Sequence, residues 1–319
     1  MKLFLGLLLT IQFLFANENL KSIYHNILLK NAHDAILASV NMQNNIATSN
    51  KKEITKSFKK LVKSWKQVEA FYILGDLNDE YLDTPRYIDI FHQGNEDIKV
   101  QLDLILSGKE ELKYALYKNS HKTINALEYM VYTKDLSKPR VQNTIRIILA
   151  AIKSNLNEIY NGYIKEKETY LKDEVTSNAM MLNALIETSY KLKEWRVGDP
   201  SGLSRKFKGK AANTRAEYHI SKNSIHAIKA IITTHKMVLE KQTYKNFGTM
   251  INGYGAKEEL NTTIKYLNRA FENANKINDD DFSEAKDLYK SLKKLHASYY
   301  ITLIGKLKVT AKILDADGD

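Results

Sequence analysis

Cysteine is absent from the whole sequence. The chain therefore has no disulfide, no thiolate nucleophile, no lipobox for a lipid anchor and no CxxCH site for haem attachment. The sequence also lacks HExxH, GxSxG and P-loop motifs, as well as a GxGxxG motif in a strand–helix setting. These absences exclude the zincin site, the thiol enzymes and the common nucleotide-binding motifs.

Proline is scarce, and no run of residues alternates between apolar and polar side chains as a half-buried strand would. The three prolines are Pro85, Pro139 and Pro200. Long windows instead repeat apolar residues at helical spacing, for example Leu61, Trp65, Val68 and Tyr72. The sequence therefore predicts an all-α protein.

Glycine, proline and polar clusters divide the chain into predicted helices. These run roughly over 18–47, 51–74, 96–107, 109–132, 138–170, 173–195, 215–240, 256–276 and 281–310. The stretch WRVGDPSGLSRKFKGKAANT (195–214) is predicted to be an irregular loop. So many helices exceed one four-helix bundle, and we predict two packed helical-bundle halves, residues 17–168 and 169–319.

The first sixteen residues, MKLFLGLLLTIQFLFA, have a basic start, an apolar centre and a small residue at Ala16. This pattern predicts a secretory signal peptide over residues 1–16, cleaved after Ala16. An uncleaved membrane anchor is the alternative. No later segment stays apolar over eighteen residues, so the rest of the chain contains no predicted membrane span.

The net charge is +11, but the lysines are spread along the chain. The densest basic runs are KSFKKLVKSWK (56–66) and SRKFKGK (204–210). The first run is typical of the solvated face of an amphipathic helix. Neither run belongs to a nucleic-acid-binding motif, so no nucleic-acid partner is predicted. Peripheral association with a membrane stays open.

The stretch SHKTINALEYMVY (120–132) places two polar side chains, His121 and Glu128, in an apolar helical pattern. The seven-residue spacing puts them on nearly the same helix face but about 10 Å apart along the axis. Two ligands of one metal ion need i,i+3 or i,i+4 spacing, so this pair alone cannot hold an ion. Glu128 is therefore predicted either to face a solvated groove or to pair with an arginine or lysine.

The segment IFHQGNED (90–97) allows two interpretations. His92, Glu96 and Asp97 are possible metal ligands, whereas Asn95 or Asp97 would suit the cap of the next helix. The other histidines do not form i,i+3 or i,i+4 pairs.

The chain ends in ILDADGD, which begins like an EF-hand loop. The sequence stops before the glutamate that such a loop needs at its twelfth position, so a complete EF-hand is excluded. We predict that this acidic end is ordered and docked.

Several of these segments together resemble the imelysin family. They are SWKQVEAFYILGD (64–76), TINALEYMVY (123–132), WRVGDPSGLS (195–204), RAEYHISKNSIHAI (215–228) and the terminal DADGD. The resemblance covers essentially the whole chain after the predicted signal peptide. It implies a periplasmic, all-helical protein with a site in a cleft between two bundle-like halves. It also implies a link to iron acquisition, whereas the first activity described for the family was a metallopeptidase.

The hallmark of that family is G-x-H-x-x-E. Glu128 matches the glutamate, but Asn125 stands at the histidine position and Thr123 at the glycine position. The resemblance implies the following cleft residues: Trp65, Glu69, His121, Thr123, Asn125, Glu128, Trp195, Arg196, Asp199, Arg215 and Ser221. Glu128, Asp315 and Asp317 are the predicted metal ligands, and iron and calcium are the candidate ions because their ligands would be hard oxygens.

The loss of the histidine favours a non-enzymatic binding protein that serves iron or other metal acquisition, with a metal ion or envelope iron-uptake proteins as partners. Two alternatives stay open: a metallopeptidase of the insulin-cleaving type, and a partner-binding envelope protein with a degenerate site. No catalytic residue is assigned. We further expect Trp195 to be largely buried and Arg196 to pair with Glu128 or Glu69.

Overall fold

A computed structural model of the chain describes residues 18–48, 50–93 and 96–312. This part of the chain contains helices, turns and loops and no strand, which confirms the all-α prediction. No helix among the described residues is both long enough and apolar enough to cross a membrane. The predicted signal peptide and the predicted ligands Asp315 and Asp317 lie outside the described residues.

The N-terminal part begins with a helix that passes through a π-helical turn, Tyr24–Leu29. The α-helices that follow are α1 (Lys30–Thr48), α2 (Lys51–Glu69), α3 (Leu74–Leu77), α4 (Thr84–Ile88), α5 (Ile98–Ser107), α6 (Leu112–Ala115), α7 (Ile124–Thr133) and α8 (Pro139–Lys165). Short 3₁₀ turns occupy Asp79–Tyr81 and Ser120–Lys122.

The C-terminal part continues with α9 (Lys167–Lys172), α10 (Glu174–Lys191), α11 (Asp199–Ser201), α12 (Ser224–Leu239), α13 (Phe247–Gly253), α14 (Lys257–Asn275), α15 (Lys286–Ala297) and α16 (Ile304–Leu307). Two further π-helical turns are Leu192–Gly198 and Ser298–Leu303, and 3₁₀ turns occupy Asn213–Arg215 and Phe282–Glu284.

Helix boundaries follow local capping chemistry. The side chain of Asn50 accepts hydrogen bonds from the backbone N–H groups of Lys52 and Glu53, and this cap begins α2. Pro139 occupies the first turn of α8, where its missing N–H leaves no bond unmade. In the 90–97 segment Asp97 caps α5 through Lys99 and Val100, so the capping interpretation of this residue is confirmed.

Helix α2 lies at the centre of the packing. It contacts α1 and α7 from the N-terminal part and α12 from the C-terminal part. One continuous cluster of buried apolar side chains extends from Leu20 to Leu303 and includes residues of both predicted halves. The division at residues 168 and 169 stays a prediction.

Three predicted elements are wrong in detail. The segment 195–214 is not a loop throughout, because the π-helical turn Leu192–Gly198 prolongs α10 as far as α11. Only after Gly202, in the left-handed conformation, does the chain leave the helix. The single helix predicted over 109–132 is interrupted, because Thr123 is extended and caps α7.

The helix predicted from residue 215 begins only at Ser224. Asp280, from the turn before α15, caps it: its carboxylate oxygens accept from Ser224 N at 2.5 Å and Ile225 N at 3.0 Å. Asp280 holds a left-handed φ of 55° to make these bonds. The α12 N-terminus is therefore stabilised by a residue far along the chain.

We expect Asp280→Ala to lower the free energy of unfolding by about 1–2 kcal/mol, because two N–H groups at the α12 N-terminus lose their acceptor. Asp280→Asn is the matched control, since its amide oxygen keeps one acceptor, and it should cost less than the alanine variant. Urea unfolding measures both. Equal losses in the two variants would mean that the negative charge of Asp280, which both variants lack, sets the effect rather than its acceptor oxygens.

Candidate functional site

A buried ion network joins α2 to the segments around residues 89, 196 and 217. At its centre lies Lys66, in the last turn of α2, with no exposed surface. The ammonium donates to Glu69 Oε2 at 2.8 Å, Asp89 Oδ2 at 2.7 Å and Glu217 Oε1 at 2.5 Å. All three donors of this lysine are therefore used, each on a different carboxylate.

Arg196 is the second cation of the network and comes from the π-helical turn after α10. Its Nε donates to Glu217 Oε2 at 2.8 Å, and its Nη2 contacts both oxygens of Glu69 at 2.8 and 2.9 Å. The guanidinium also lies 5.6 Å from the centre of the Phe91 ring. The predicted pairing of Arg196 with Glu69 is confirmed, whereas the alternative partner Glu128 is not in contact with it.

Asp89, directly after α4, accepts hydrogen bonds at both oxygens. Trp65 Nε1 at 3.0 Å and Tyr218 OH at 2.8 Å donate to its Oδ2, beside the Lys66 ammonium. Its Oδ1 accepts from Phe91 N at 2.9 Å. Tyr218 reaches this position with a left-handed φ of 59°, a conformation that is costly for a bulky side chain and is retained only where the surroundings enforce it.

The network contains more negative than positive groups, since Glu69, Asp89 and Glu217 face only Lys66 and Arg196. Burial alone would lower the pKa of Lys66, but the three carboxylates outweigh it and raise that pKa. Burial would likewise raise the pKa of Asp89, but the ammonium of Lys66 and the hydrogen bonds hold it well below its usual range.

The remaining two carboxylates differ in exposure. A quarter of the Glu69 side chain is exposed, and the nearby Arg196 and Lys66 lower its pKa despite partial burial. Glu217 is almost fully enclosed, so burial raises its pKa even beside the two cations. Glu217 is therefore the carboxylate of the three whose charged form the network favours least.

Glu128, the glutamate that matches the family hallmark, is buried in α7. Its Oε1 accepts from Ser221 N at 2.9 Å, and this bond brings two predicted site residues together. Burial raises the pKa of Glu128 from 4.5 to about 7, helped by the negative charge of Glu217. Glu128 is thus neither in a solvated groove nor paired with a cation, and both expectations for it are wrong.

The other polar residues of the α7 region have structural contacts. Asn125 Oδ1 accepts from Ile90 N at 2.9 Å, beside Asp89. Thr123 caps α7 through Ala126 N. His121 lies apart from the network: its Nε2 is 2.7 Å from Gln101 Oε1, and its Nδ1 is buried without a hydrogen-bond partner among the described residues.

An aromatic pair lies next to Arg196. The rings of Trp195 and His92 stack with centroids 4.7 Å apart and planes 4° apart. His92 Nε2 is 2.9 Å from Asp199 Oδ2. Most of the Trp195 surface is covered, in part by the ring of His92, which agrees with the expectation of a largely buried tryptophan.

Arg215 does not join the network. Its Nη1 donates to the Lys210 carbonyl, and its guanidinium stacks 4.2 Å from the centre of the Phe207 ring. Through these two contacts Arg215 stabilises the loop after α11. The remaining predicted residues, Trp65, Glu69, Asn125, Glu128, Arg196 and Ser221, lie in or beside the network.

The described residues do not fit a resident metal ion. No group of three histidine, aspartate or glutamate side chains in residues 18–48, 50–93 and 96–312 is arranged as a metal site. The oxygen of Asn125 is already bonded to a backbone N–H, and burial raises the pKa of Glu128 to about 7, so that a proton competes with a cation for it near neutral pH. The predicted ligands Asp315 and Asp317 are outside the described part. The predicted cleft also stays a prediction.

Four residues of the network were missed by sequence reasoning: Lys66, Asp89, Glu217 and Tyr218. A signal existed for Lys66, because it follows Val62 by four residues on the apolar stripe of α2, where a lysine is unexpected. The interpretation of the run 56–66 as a solvated face is therefore wrong at its last residue. Asp89 and Tyr218 carry no comparable signal, since both follow short elements without clear periodicity.

The sequence profile of the imelysin family matches residues 24–299. No curated protein sequence matched the chain significantly.

Two solved structures share the fold. An imelysin-like protein from Psychrobacter arcticum superposes with a TM-score of 0.76 at 15% identity, over 93% of this chain and 97% of that one. A protein described as an iron-regulated protein A precursor from Parabacteroides distasonis superposes with a TM-score of 0.69 at 13% identity, over 92% and 94%. The family profile spans most of the chain and both neighbours have the same all-helical fold, so this protein belongs to the imelysin family.

Proposed function

We propose that this protein is a non-enzymatic binding protein of the periplasm that serves the acquisition of iron or another metal. The observation that carries the proposal is the surplus of buried carboxylates. Glu69, Asp89 and Glu217 share only two cations, Lys66 and Arg196, and Glu128 adds a buried carboxyl that has no cationic partner and feels the charge of Glu217. Such a surplus favours either bound protons or a bound cation.

The metal in this proposal is cargo rather than a resident cofactor. Glu128 is the carboxylate that would contact the cation, because it has no cationic partner and its proton is available for exchange near neutral pH. The described residues supply negative charge without a full ligand set. The remaining ligands would come from the cargo itself or from the acidic chain end with Asp315 and Asp317. The iron-regulated relative supports iron as the first metal to test.

A partner-binding protein with a degenerate site is the second candidate. One observation favours it: every donor of Lys66 and both oxygens of Glu217 are already used inside the network. A network closed in this way stabilises the fold and does not need a ligand. A metallopeptidase has no such support, since no group of three histidine, aspartate or glutamate side chains among the described residues is arranged to hold a metal ion.

The test is metal binding by protein purified from its own periplasm. Mass spectrometry gives its metal content, and calorimetry with ferric citrate and with calcium gives the affinity. Glu128→Gln should weaken binding at least about tenfold, the loss of one charge-assisted contact. Glu110→Gln, which changes an exposed acid, is the matched control and should leave the affinity unchanged.

The outcomes separate the candidates. Metal-free protein that binds neither ion, or equal affinities in wild type and Glu128→Gln, would remove the metal proposal and favour a partner-binding role. Incubation with unfolded insulin tests the peptidase alternative. Release of peptide fragments by wild type but not by Glu128→Gln would restore it.

A further inference from the structure

The loop after α11 carries a cluster of positively charged side chains that form no ion pairs with the described residues. Within residues 204–210, here called the basic loop, the exposed cations are Arg205, Lys206, Lys208 and Lys210. No acidic residue occurs between Asp199 and Glu217. None of the four cations forms an ion pair with a described residue. This basic run takes no part in the ion network around Lys66 and Arg196.

The backbone of the basic loop is organised rather than extended into solvent. Gly202 lies just before the basic loop with a φ of 69°. A Cβ there would lie 2.7 Å from the N atom of Ala211, just after the loop, so only glycine allows the two flanking segments to approach. Gly209 N donates to the Gly202 carbonyl at 2.9 Å, and Ala212 N donates to the Pro200 carbonyl at 2.8 Å. The loop therefore presents its cations from a closed, hydrogen-bonded frame.

Apolar side chains accompany these cations. Leu203, directly before the basic loop, is 36% exposed. Phe207, between Lys206 and Lys208, is partly exposed, and its ring is held against Arg215 at 4.2 Å. Basic residues interleaved with leucine and phenylalanine are typical of segments that bind anionic lipid headgroups and insert apolar groups at the interface.

We propose that the basic loop docks this protein on a membrane surface that carries anionic phospholipids. The charge of the loop has one sign and complements such a surface. Lysine is depleted in the cores of protein–protein interfaces, so a loop with three exposed lysines fits a lipid surface better than a protein partner. The inference does not depend on the proposed metal binding.

Helix α2 offers a rival basic surface. Its exposed lysines are Lys51, Lys52, Lys56, Lys59, Lys60 and Lys63. Glu53 lies among them and pairs with Lys56, and none of the exposed large apolar side chains belongs to α2. A regular solvated helix face explains these lysines, whereas the basic loop combines charge with exposed apolar groups.

The experiment measures sedimentation of the protein, as purified from its own cell envelope, with vesicles of phosphatidylcholine with or without phosphatidylglycerol. The loop variant carries glutamine at Arg205, Lys206, Lys208 and Lys210. Each cation near an anionic surface contributes about fivefold to partitioning, so the loop variant should bind the anionic vesicles at least about a hundredfold more weakly. Binding by wild type should weaken steeply at high salt.

The matched control carries the same charge change on α15, with glutamine at Lys286, Lys290, Lys293 and Lys294. The affinity of this control for the anionic vesicles should fall no more than severalfold, because only the overall electrostatic field of the protein changes. The rival variant carries glutamine at the exposed lysines of α2. Circular dichroism melting checks that all variants fold.

Four results would overturn the proposal. Wild type that does not bind anionic vesicles would indicate that an acidic protein partner fits the basic loop better. Equal losses in the loop and α15 variants would mean that net charge alone attracts the protein. A loss confined to the α2 variant would move the docking surface to that helix. Binding to neutral vesicles that all variants share would instead reflect the apolar N-terminal segment and not the loop.

Discussion

Replacing Lys66 by methionine is expected to lower the free energy of unfolding by about 3–5 kcal/mol. Methionine has a similar length and fits the same space, so the change removes charge more than volume. Asp89 and Glu217 would then stay buried with Arg196 as the sole cation, and Arg196 contacts only Glu217 of these two. Urea unfolding at neutral pH measures the loss.

The control for this variant is Lys63→Met, on the exposed side of the same helix, which should change the stability by less than about 0.5 kcal/mol. The double variant Lys66→Met with Glu217→Gln removes one cation and one carboxylate together. It should be more stable than the sum of the single changes by at least about 1 kcal/mol, since the two groups contact each other at 2.5 Å. A loss below about 1 kcal/mol for Lys66→Met would contradict the picture of a buried, interdependent network.

Glu128→Gln is expected to make the protein more stable at pH 8. Burial raises the pKa of Glu128 from 4.5 to about 7, so the folded state holds a proton that the unfolded state releases. Between these two pH values the folded state binds more protons, and the stability of wild type therefore falls as pH rises. Above pH 7 Glu128 is ionised inside the folded protein. The free energy of unfolding of wild type is then lower by about 3 kcal/mol, the cost that corresponds to this rise in pKa.

Glutamine has nearly the same shape, cannot ionise, and keeps an oxygen that can accept from Ser221 N. The free energy of unfolding of the variant should equal that of wild type at pH 4.5 and exceed it by about 3 kcal/mol at pH 8. Thermal unfolding of both proteins across this range gives the difference, in which the titration of other groups cancels. Glu110→Gln, at an exposed position, should show no such trend. A variant less stable than wild type at pH 8 would indicate that the ionised carboxylate has a cationic partner after all.

Much of the architecture was predictable because helices depend on neighbours a few residues apart. The apolar spacing of α2, the cap at Asn50 and the position of Pro139 are all local, and they placed the helices near their observed bounds. Short motifs likewise sufficed to indicate the family and to identify Glu69, Glu128 and Arg196 as residues near one site.

The errors arose where distant segments determine local structure. The start of α12 depends on Asp280, which lies 56 residues further along the chain than Ser224. The continuation of the helix through Leu192–Gly198 passes glycine and proline, which normally predict a loop. Neither outcome follows from the residues nearby, because a cap supplied from elsewhere or a π-helical turn packed against other helices overrides local preference.

The sequence by itself determined that the chain is helical, that it uses no thiol chemistry, and that Glu128 stands without the hallmark histidine. Only the tertiary structure decided which charges face one another. Lys66 belongs to a basic run that looks solvated, yet it is fully buried, because Glu217 lies 151 residues away in sequence and within hydrogen-bonding distance in space. The charge state of Glu128 was decided in the same way, since its pKa depends on how completely the surrounding segments exclude water and on how near they bring other charges.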